Sequence, residues 1–162
     1  MRSEEELTQA LQTHADMVRR ICFIHLQNRS DVEDVFQDVF LKYALHEAAF
    51  DSDDHERAWL LRVAINACRD LQRSFWRRKV FSLESADITG LAIEAEDRDV
   101  LDAVLHLVPT KYRDVIYLHY YEGYKASEIS HILGQKENTI YTWLARARKQ
   151  LKTALGGDLF EE

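Results

Sequence analysis

The sequence predicts an all-helical protein made of two small domains. Its 162 residues include five Gly and one Pro, which leaves few of the tight turns that a hairpin-rich sheet requires. Apolar residues recur at helical spacing along most of the chain, and the hydrophobic fraction of 46% is sufficient for packed cores. Two small units fit this length, because domains usually hold roughly 50 to 200 residues.

Two amphipathic helices are predicted near the N-terminus. The first runs from Glu4 to Gln27 and has apolar residues on one face: Leu7, Leu11, Val18, Ile21 and Cys22. The second opens at Ser30, which together with Glu33 has the spacing of a capping box. Its apolar residues then repeat every three or four positions: Val32, Val35, Phe36, Val39, Phe40 and Tyr43.

A third helix is predicted after the polar segment HEAAFDSDD. Asp53 and Glu56 repeat the capping spacing and mark its start. Its predicted buried residues are Leu60, Val63, Ala64, Ala67 and Leu71. The three helices form the first predicted domain, residues 1–79. Residues 80–96 lack sustained periodicity and are predicted to be a flexible linker.

The second predicted domain comprises residues 97–156. It begins with an amphipathic stretch from Val100 to Val108. Pro109 then lies in the first turn of a helix that runs to Tyr121, where the missing N–H of proline costs nothing. Two shorter helices complete this domain.

These last two helices, Ala126–Leu133 and Glu137–Ala154, have the pattern of a helix-turn-helix with Gly134 in the turn. Their apolar residues are expected to pack together: Ile129, Ile132, Leu133, Ile140, Leu144, Ala147 and Leu151. The opposite face of the second helix fits a DNA major groove and carries Asn138, Thr142, Ala145, Arg146 and Lys149, with Tyr141 at its edge. On periodicity alone, a helical hairpin with a solvated basic face is an equal alternative.

The net charge of −7 conceals a segmented distribution of charge. Arg57 to Lys79 contains seven basic residues and one acidic residue, whereas Val80 to Leu105 contains seven acidic residues and one Arg. His106 to Leu155 contains eight basic and four acidic residues. Two basic segments are therefore available for nucleic acid, although the overall charge opposes phosphate binding.

The third helix mixes aromatic and cationic side chains along one stripe. The residues near this stripe are Trp59, Arg62, Asn66, Arg69, Arg73 and either Trp76 or Arg77. Surfaces of this kind bind single-stranded nucleic acid, because arginines pair with phosphates and aromatic rings stack on bases. For this helix considered alone, aromatic core residues beside a solvated arginine face are the favoured alternative.

The second helix has an acidic outer face, formed by Asp31, Glu33, Asp34 and Asp38 beside Gln37. Solvation accounts for such a face. The more specific interpretation is a protein partner with a basic surface, because complementary charge speeds encounter and fixes register.

No catalytic, metal or cofactor site is predicted. The seven His residues are dispersed, and the sequence has neither a Gly-rich phosphate loop nor a G-x-S-x-G motif. Cys22 and Cys68 lack zinc-site spacing and are predicted to be reduced core thiols. No segment approaches the roughly 20 apolar residues that cross a bilayer. A non-enzymatic, cytoplasmic protein without membrane insertion is therefore expected.

Together, these segments resemble the extracytoplasmic-function (ECF) RNA polymerase sigma factors of the sigma-70 family along nearly the whole chain. DVEDVFQDVFLKY (Asp31 to Tyr43) is similar to the helix that grips the coiled coil of the largest polymerase subunit. WLLRVAINACRDLQRSFWRRK (Trp59 to Lys79) looks like the helix that melts the promoter and reads its minus-ten element. Leu107 to Leu151, which closes with R-A-R-x-x-L, is similar to the minus-thirty-five-reading domain.

The resemblance implies a three-helix sigma region 2 domain, a four-helix sigma region 4 domain and none of the extra domains of housekeeping sigma factors. The implied contacts to core polymerase are Asp34, Gln37, Asp38 and Phe40. The implied minus-ten contacts are Trp59, Arg62, Asn66, Arg69, Arg73, Arg77 and Arg78. Asn66 matches the Asn of the family's A-x-N motif, and the loop from Glu47 to Asp54 is expected to hold a flipped base. The implied minus-thirty-five contacts are Thr139, Tyr141, Thr142, Ala145, Arg146 and Lys149.

The implied function is promoter-specific transcription initiation, with core RNA polymerase and promoter DNA as partners, an anti-sigma protein as the usual regulator, and no cofactor. Asn138 and Tyr141 depart from the family's E-G-T-V-[KR]-S-R pattern, so the promoter sequence stays open. Two alternatives also stay open. A stand-alone helix-turn-helix regulator predicts a symmetric dimer on a palindromic operator, and a helical adaptor for proteins predicts no DNA contact.

Overall fold

The structure consists of helices joined by short connections in the part of the chain that it describes. The computed structural model describes residues 1–81 and 105–155, with side chains up to Ser74 in the first range. The regular structure in these two ranges is entirely helical. Contacts divide the chain into two compact units, each with its own core, as the sequence predicts.

The first unit is a bundle of three helices: α1 (Glu4–His25), α2 (Arg29–Leu45) and α3 (Asp53–Phe81). Each helix packs against the other two. Their shared core contains side chains with no exposed surface: Val18, Ile21, Cys22, Val32, Val39, Leu60, Leu61, Ala64 and Cys68. Both cysteines thus lie in the core. α3 extends two residues past the predicted end of the first domain at residue 79.

The buried stripe of α3 is rotated from the predicted one. Leu60, Ala64 and Ala67 are buried as predicted, whereas Val63 and Leu71 are only half-buried. Leu61 and Ile65 are buried instead. Because α3 packs against α1 and α2 together, it buries a wider face than a single row of i, i+3 and i+4 positions. Leu7 and Leu11 on α1 are likewise half-buried.

The start of α2 differs from the prediction. Asn28, not Ser30, caps the helix, because its side-chain oxygen accepts hydrogen bonds from the backbone N–H groups of Ser30 (2.7 Å) and Asp31 (3.2 Å). Glu33 is therefore not the second member of a capping box. Its carboxylate lies 3.0 Å from Arg19 Nε and ties α2 to α1.

At the starts of α1 and α3, serine side-chain oxygens likewise accept hydrogen bonds from backbone N–H groups. Ser3 and Glu6 form a reciprocal capping box at the start of α1, which sequence reasoning missed. The Ser52 hydroxyl accepts a hydrogen bond of 3.1 Å from the His55 N–H at the start of α3. Because α3 begins at Asp53, the predicted capping pair Asp53 and Glu56 is wrong by one residue.

The second unit contains the short helix α4 (Thr110–Ile116), a π-helical turn (Tyr117–Tyr121), α5 (Ala126–Leu133) and α6 (Glu137–Leu155). The helices fall where the sequence predicts them, and α6 packs against both α4 and α5. Pro109 precedes the first helical residue, and its carbonyl accepts the N–H groups of Tyr112 and Arg113.

Two predicted segments fall wholly or partly outside the described residues. Of the predicted linker, residues 80–96, only Val80 and Phe81 are described, and they are the last residues of α3. Of the stretch from Val100 to Val108, residues 105–108 are described. Leu105 and Val108 are buried there, in agreement with its predicted amphipathic character.

Candidate polymerase and nucleic-acid interfaces

The outer face of α2 combines acidic and apolar residues. Asp34, Gln37 and Asp38, three predicted polymerase contacts, are exposed. Leu41 and Leu45 continue the same side of the helix and are each 58% exposed. We call these five residues the α2 outer face. Sequence reasoning missed the two leucines, although their spacing of four from Gln37 and from each other indicates this position.

Phe40 lies beneath the α2 outer face rather than on it. Its side chain is 6% exposed, and its ring centroid lies 5.0 Å from that of Phe36 and 6.4 Å from that of Tyr43. A buried aromatic residue in this position supports the helix from the core side. Phe40 is therefore a core residue in the isolated bundle.

α3 carries a polar and cationic stripe on its solvent side. Arg62, Asn66 and Arg73 are exposed and Arg69 is half-buried, at successive spacings of four, three and four residues. We call these four residues the α3 stripe. Arg73 Nη2 lies 2.6 Å from Asp70 in an exposed ion pair. The side chains of the other predicted contacts on this helix, Arg77 and Arg78, lie outside the described residues.

Trp59 stands at the head of the α3 stripe in an aromatic cluster. Its ring centroid lies 4.6 Å from that of His46, 5.6 Å from that of Phe50 and 6.3 Å from that of Tyr43. The Trp59 side chain is half-buried. One part of the indole therefore packs against the loop between α2 and α3, and the other part remains accessible from solvent.

Tyr43 is the buried and uncharged member of this cluster. Burial, followed by a hydrogen bond and a charge interaction with Glu56, raises the pKa of Tyr43 to about 12. The phenol therefore stays protonated at any physiological pH. Arg2 supplies positive charge next to this cluster, with its guanidinium carbon 4.6 Å from the Tyr43 ring centroid.

The last two helices form a helix-turn-helix around a left-handed residue. Gly134 ends α5 with φ of 68°, a conformation that residues with a Cβ rarely adopt. The N–H of Gly134 donates to the Ser130 carbonyl. All seven apolar residues predicted for the core of this motif are buried: Ile129, Ile132, Leu133, Ile140, Leu144, Ala147 and Leu151.

The opposite side of α6 is open to solvent. The exposed residues are Tyr141, Thr142, Ala145, Arg146 and Lys149, which we call the α6 outer face. Thr139, the remaining predicted contact, is half-buried. The Thr142 hydroxyl donates a hydrogen bond of 3.0 Å to the Asn138 carbonyl. The faces of α6 are therefore divided as the helical period requires.

Arg146 and Arg148 lie in different surroundings although they are only two residues apart. Arg146 is exposed on the α6 outer face, whereas Arg148 is half-buried and its Nη1 donates a hydrogen bond of 2.9 Å to the Tyr120 hydroxyl. Tyr120 lies in the π-helical turn. Arg148 therefore links α6 to the π-helical turn, a role that the sequence motif does not reveal.

Within residues 1–81 and 105–155, no group of His, Cys, Asp and Glu side chains is arranged to hold a metal ion. No helix in these ranges has the length and apolar character to cross a membrane.

Comparison with known proteins assigns the two units to one family. The Sigma-70 region 2 model matches residues 10–78, and the Sigma-70, region 4 model matches residues 98–151. The ECF RNA polymerase sigma factor SigW of Bacillus subtilis is 28% identical over 158 aligned residues, which cover 88% of this chain and 84% of the relative. The RNA polymerase sigma factor NccH of Alcaligenes xylosoxydans xylosoxydans is 31% identical over 140 residues, which cover 78% of this chain and 74% of the relative. The chain belongs to the ECF sigma factors of the sigma-70 family.

Two solved structures have the same fold as this chain. CnrH, in complex with the cytosolic domain of CnrY, has a TM-score of 0.68 at 27% identity, covering 96% of this chain and 91% of that chain. RpoE of Bartonella quintana, in complex with the anti-sigma factor NepR, has a TM-score of 0.80 at 22% identity, covering 95% and 99%. The first bundle of this ECF sigma factor is thus a region 2 domain, and the second unit is a region 4 domain.

Proposed function

We propose that this ECF sigma factor binds core RNA polymerase through the α2 outer face, captures the minus-ten element along the α3 stripe and reads the minus-thirty-five element with the α6 outer face. The observation that carries this proposal is the separation of charge. Two exposed cationic faces lie on α3 and α6 of a chain whose net charge is −7. Promoter DNA explains the cationic faces, and a basic protein surface explains the acidic one.

The composition of the α2 outer face supports a protein partner. Carboxylates at Asp34 and Asp38 favour a basic surface and steer encounter, whereas the exposed Leu41 and Leu45 offer apolar area for burial. A face meant only for solvent has no need of two large apolar side chains four residues apart. The basic and apolar surface expected of the partner is that of the polymerase coiled coil.

The α3 stripe supports binding of a strand whose bases are unpaired. Arg62, Arg69 and Arg73 can pair with successive phosphates, and Asn66 offers an amide donor and acceptor to a base edge. The accessible part of Trp59 lies at one end of this row. Stacking on such a ring contributes about 1–3 kcal/mol per base.

The α6 outer face supports binding in the major groove of duplex DNA. Arg146 and Lys149 provide cationic donors to guanine edges or phosphates, and Thr142 and Ala145 can contact thymine methyl groups. Tyr141 is 56% exposed at the edge of this face. The buried side of α6 holds these residues on a rigid element.

We further propose that the chain performs no chemistry of its own, acts in the cytoplasm where its polymerase works, and is regulated by an anti-sigma protein. Sigma factors regulate initiation without catalysing a reaction. RpoE and CnrH were each solved with a bound partner, the anti-sigma factor NepR in one case and CnrY in the other. Isolation of a tight complex between this chain and an anti-sigma protein encoded in the same genome would support this regulation.

Run-off transcription tests the proposed function. Core RNA polymerase is incubated with and without the purified chain on a pool of templates from the host genome, and the transcripts are sequenced. Defined start sites that require the chain support the proposal. Failure to initiate or to co-elute with core polymerase, combined with binding of the chain alone to a palindromic duplex, favours a stand-alone regulator.

A double variant tests whether initiation depends on the α6 outer face. Arg146→Ala with Lys149→Ala should abolish initiation at promoters that depend on a minus-thirty-five element, without loss of core binding. Lys125→Ala with Lys136→Ala, which changes two exposed lysines outside the α6 outer face, is the matched control. Equal loss with both double variants contradicts the assignment of the α6 outer face.

A further inference from the structure

The side chain of Arg2 is nearly buried, although its neighbours Met1 and Ser3 are exposed. The Arg2 side chain is 9% exposed. Its Nε donates a hydrogen bond of 3.1 Å to the Tyr43 carbonyl, and its Nη2 donates one of 2.7 Å to the Ala48 carbonyl. Its Nη1 lies 3.5 Å from the Glu6 carboxylate. All three guanidinium nitrogens are therefore engaged.

The same guanidinium lies over two aromatic rings. Its central carbon is 4.6 Å from the ring centroid of Tyr43 and 4.9 Å from that of Phe50. The rings of Tyr43 and Phe50 are nearly parallel to each other, with an interplanar angle of 2°. Partly desolvated cation–π contacts of this kind are stronger than exposed ones.

These contacts bridge the end of α2 and the loop that leads to α3. Ala48 and Phe50 belong to the loop between α2 and α3, residues 46–52, whereas Tyr43 belongs to α2. The sequence predicts this loop at Glu47 to Asp54, but Asp53 and Asp54 already lie in the first turn of α3. The backbone N–H of Arg2 also donates to the Ala44 carbonyl at 2.8 Å. Arg2 thus holds the first half of the loop against the bundle, and we call this arrangement the Arg2 anchor.

Phe50 connects the Arg2 anchor to the proposed DNA surface. Its ring centroid lies 5.4 Å from that of His46 and 5.6 Å from that of Trp59, which stands at the head of the α3 stripe. The second half of the loop is fixed from α3 itself, because His55 Nδ1 accepts the Asp51 N–H at 3.0 Å. The loop is therefore held at both ends, by Arg2 on one side and by α3 on the other.

We infer that Arg2 is a positioning residue for base capture, which fixes the loop between α2 and α3 (residues 46–52) beside Trp59 so that an unpaired minus-ten base meets a preformed pocket wall. This inference rests on the proposed role of the α3 stripe and the loop. A preformed loop keeps its contacts in one geometry, so it cannot rearrange around a base that does not fit. Binding of the base that does fit also costs less conformational freedom than it would with a mobile loop. Arg2 acts through Ala48 and Phe50 and touches no base.

Arginine suits this position better than lysine. The planar Arg2 guanidinium has several donors and contacts two carbonyl groups and two aromatic rings at once. The ammonium group of a lysine is a compact point charge and cannot reproduce this set of contacts. Arg2→Lys should therefore retain attraction to the rings and lose the paired carbonyl bonds. Its effect should lie between those of the wild type and Arg2→Gln.

The test uses holoenzyme formed by the full-length chain on a promoter found by run-off transcription. Each minus-ten position is replaced in turn by another base, and the ratio of initiation from the original and the substituted templates is measured. The same positions carry 2-aminopurine in a second series, so that the rise in fluorescence on open-complex formation reports unstacking of each base.

With Arg2→Gln we expect one minus-ten position to lose roughly fivefold in discrimination, the low end for a single base pair. The fluorescence rise at that position should fall, while core binding and dependence on the minus-thirty-five element stay unchanged. Arg19→Gln is the matched control. Its guanidinium lies 3.9 Å from the Phe36 ring centroid and pairs with Glu33 in the same bundle, away from the loop.

The outcomes separate this inference from the proposed function. A wild-type chain that gives no initiation contradicts the proposed function, and the inference falls with it. Wild-type initiation with unchanged discrimination in Arg2→Gln, or with equal loss at every position in Arg2→Gln and Arg19→Gln, overturns the inference alone. If Arg2→Gln does not fold, Arg2→Lys in the same assays decides the question by the same criteria.

Discussion

His14 is a buried ionisable side chain on α1, with 6% of its surface exposed. Burial is the main cause that lowers the pKa of His14 below its usual 6.5; Glu56 opposes the shift, Arg57 adds to it and Asp53 opposes it. All three charged groups lie in the first turns of α3, which packs against α1. The imidazole is therefore held neutral in the folded bundle.

We predict that His14 makes the region 2 domain less stable in mild acid. The unfolded chain binds a proton at His14 as the pH falls below 6.5, whereas the folded chain resists it. The stability that depends on neutral His14 is fully present above pH 6.5. It is lost as the pH falls from 6.5 through the lowered pKa of the folded chain. Urea unfolding of the wild type and His14→Gln at about pH 7.5 and about pH 5.5 measures the difference.

The exposed His131 supplies the control for this experiment. His131→Gln should show the same loss of unfolding free energy between the two pH values as the wild type, whereas His14→Gln should show a smaller loss. Identical losses in all three proteins exclude a contribution from His14.

Arg146 and Arg148 should separate DNA binding from stability. Arg146→Ala should weaken promoter binding by holoenzyme by about 1–3 kcal/mol and change the unfolding free energy by less than about 0.5 kcal/mol. Arg148→Ala should lower stability by about 0.5–1 kcal/mol because it loses the bond to Tyr120. Thermal unfolding and DNA binding are measured on both variants.

A double-mutant cycle checks the role of Arg148. Tyr120→Phe removes the same hydrogen bond, so the Arg148→Ala and Tyr120→Phe effects on unfolding free energy should not add. Strict additivity shows that the two side chains do not interact in solution.

At the scale of the helix, Asn28 and Ser30 are two candidate capping residues at the start of α2, and their alanine variants can be compared. Asn28→Ala should destabilise the bundle by about 1 kcal/mol because two backbone N–H groups lose their acceptor. Ser30→Ala should change stability by less than about 0.5 kcal/mol, since Ser30 is exposed and already within the helix. Chemical unfolding of both variants measures these values, and the reverse ranking contradicts the cap at Asn28.

The α2 outer face carries its own prediction. Asp34→Asn with Asp38→Asn should weaken core polymerase binding by about 1 kcal/mol, the sum expected of two exposed ion pairs, and added salt should reduce this difference. Glu5→Gln with Asp16→Asn, two exposed acids on α1, is the control. Affinity for core polymerase is measured by fluorescence titration, and equal weakening by both pairs means that only the total charge matters.

Helix positions could be predicted from sequence because the apolar period is a local property. The buried and exposed sides of α6 follow directly from residues such as Ile140, Leu144 and Arg146. The caps were harder, because Asn28 and Ser30 are equally good capping residues and the choice depends on where the chain turns. The prediction placed the cap two residues too late.

Contacts between distant residues could not be predicted in this way. Arg2 meets Tyr43 and Ala48 across 41 and 46 residues, and Arg148 meets Tyr120 across 28 residues. Such contacts depend on how helices pack, which no local pattern contains. The division of the pair Arg146 and Arg148 into one exposed and one supporting residue arises in the same way.

At the scale of the whole molecule, the separation of charges predicts that DNA binding depends on the partner. The purified chain, with a net charge of −7, should bind promoter duplex weakly. Its net negative charge is repelled by the DNA phosphates, and this repulsion offsets the attraction of the two cationic faces. The holoenzyme should bind the same duplex specifically. Fluorescence anisotropy at several salt concentrations compares the two, and tight specific binding by the chain alone contradicts this account.

The division of α6 into a buried and an exposed side has a consequence for evolution. Ile140, Leu144, Ala147 and Leu151 anchor the helix, so the solvent-facing positions can change at little cost to folding. If the α6 outer face reads promoter DNA as proposed, promoter preference and fold are inherited through separate positions of one helix. A lineage would then acquire a new set of target genes through substitutions at Tyr141, Thr142 and Ala145, and a laboratory would use the same positions to build mutually independent transcription switches.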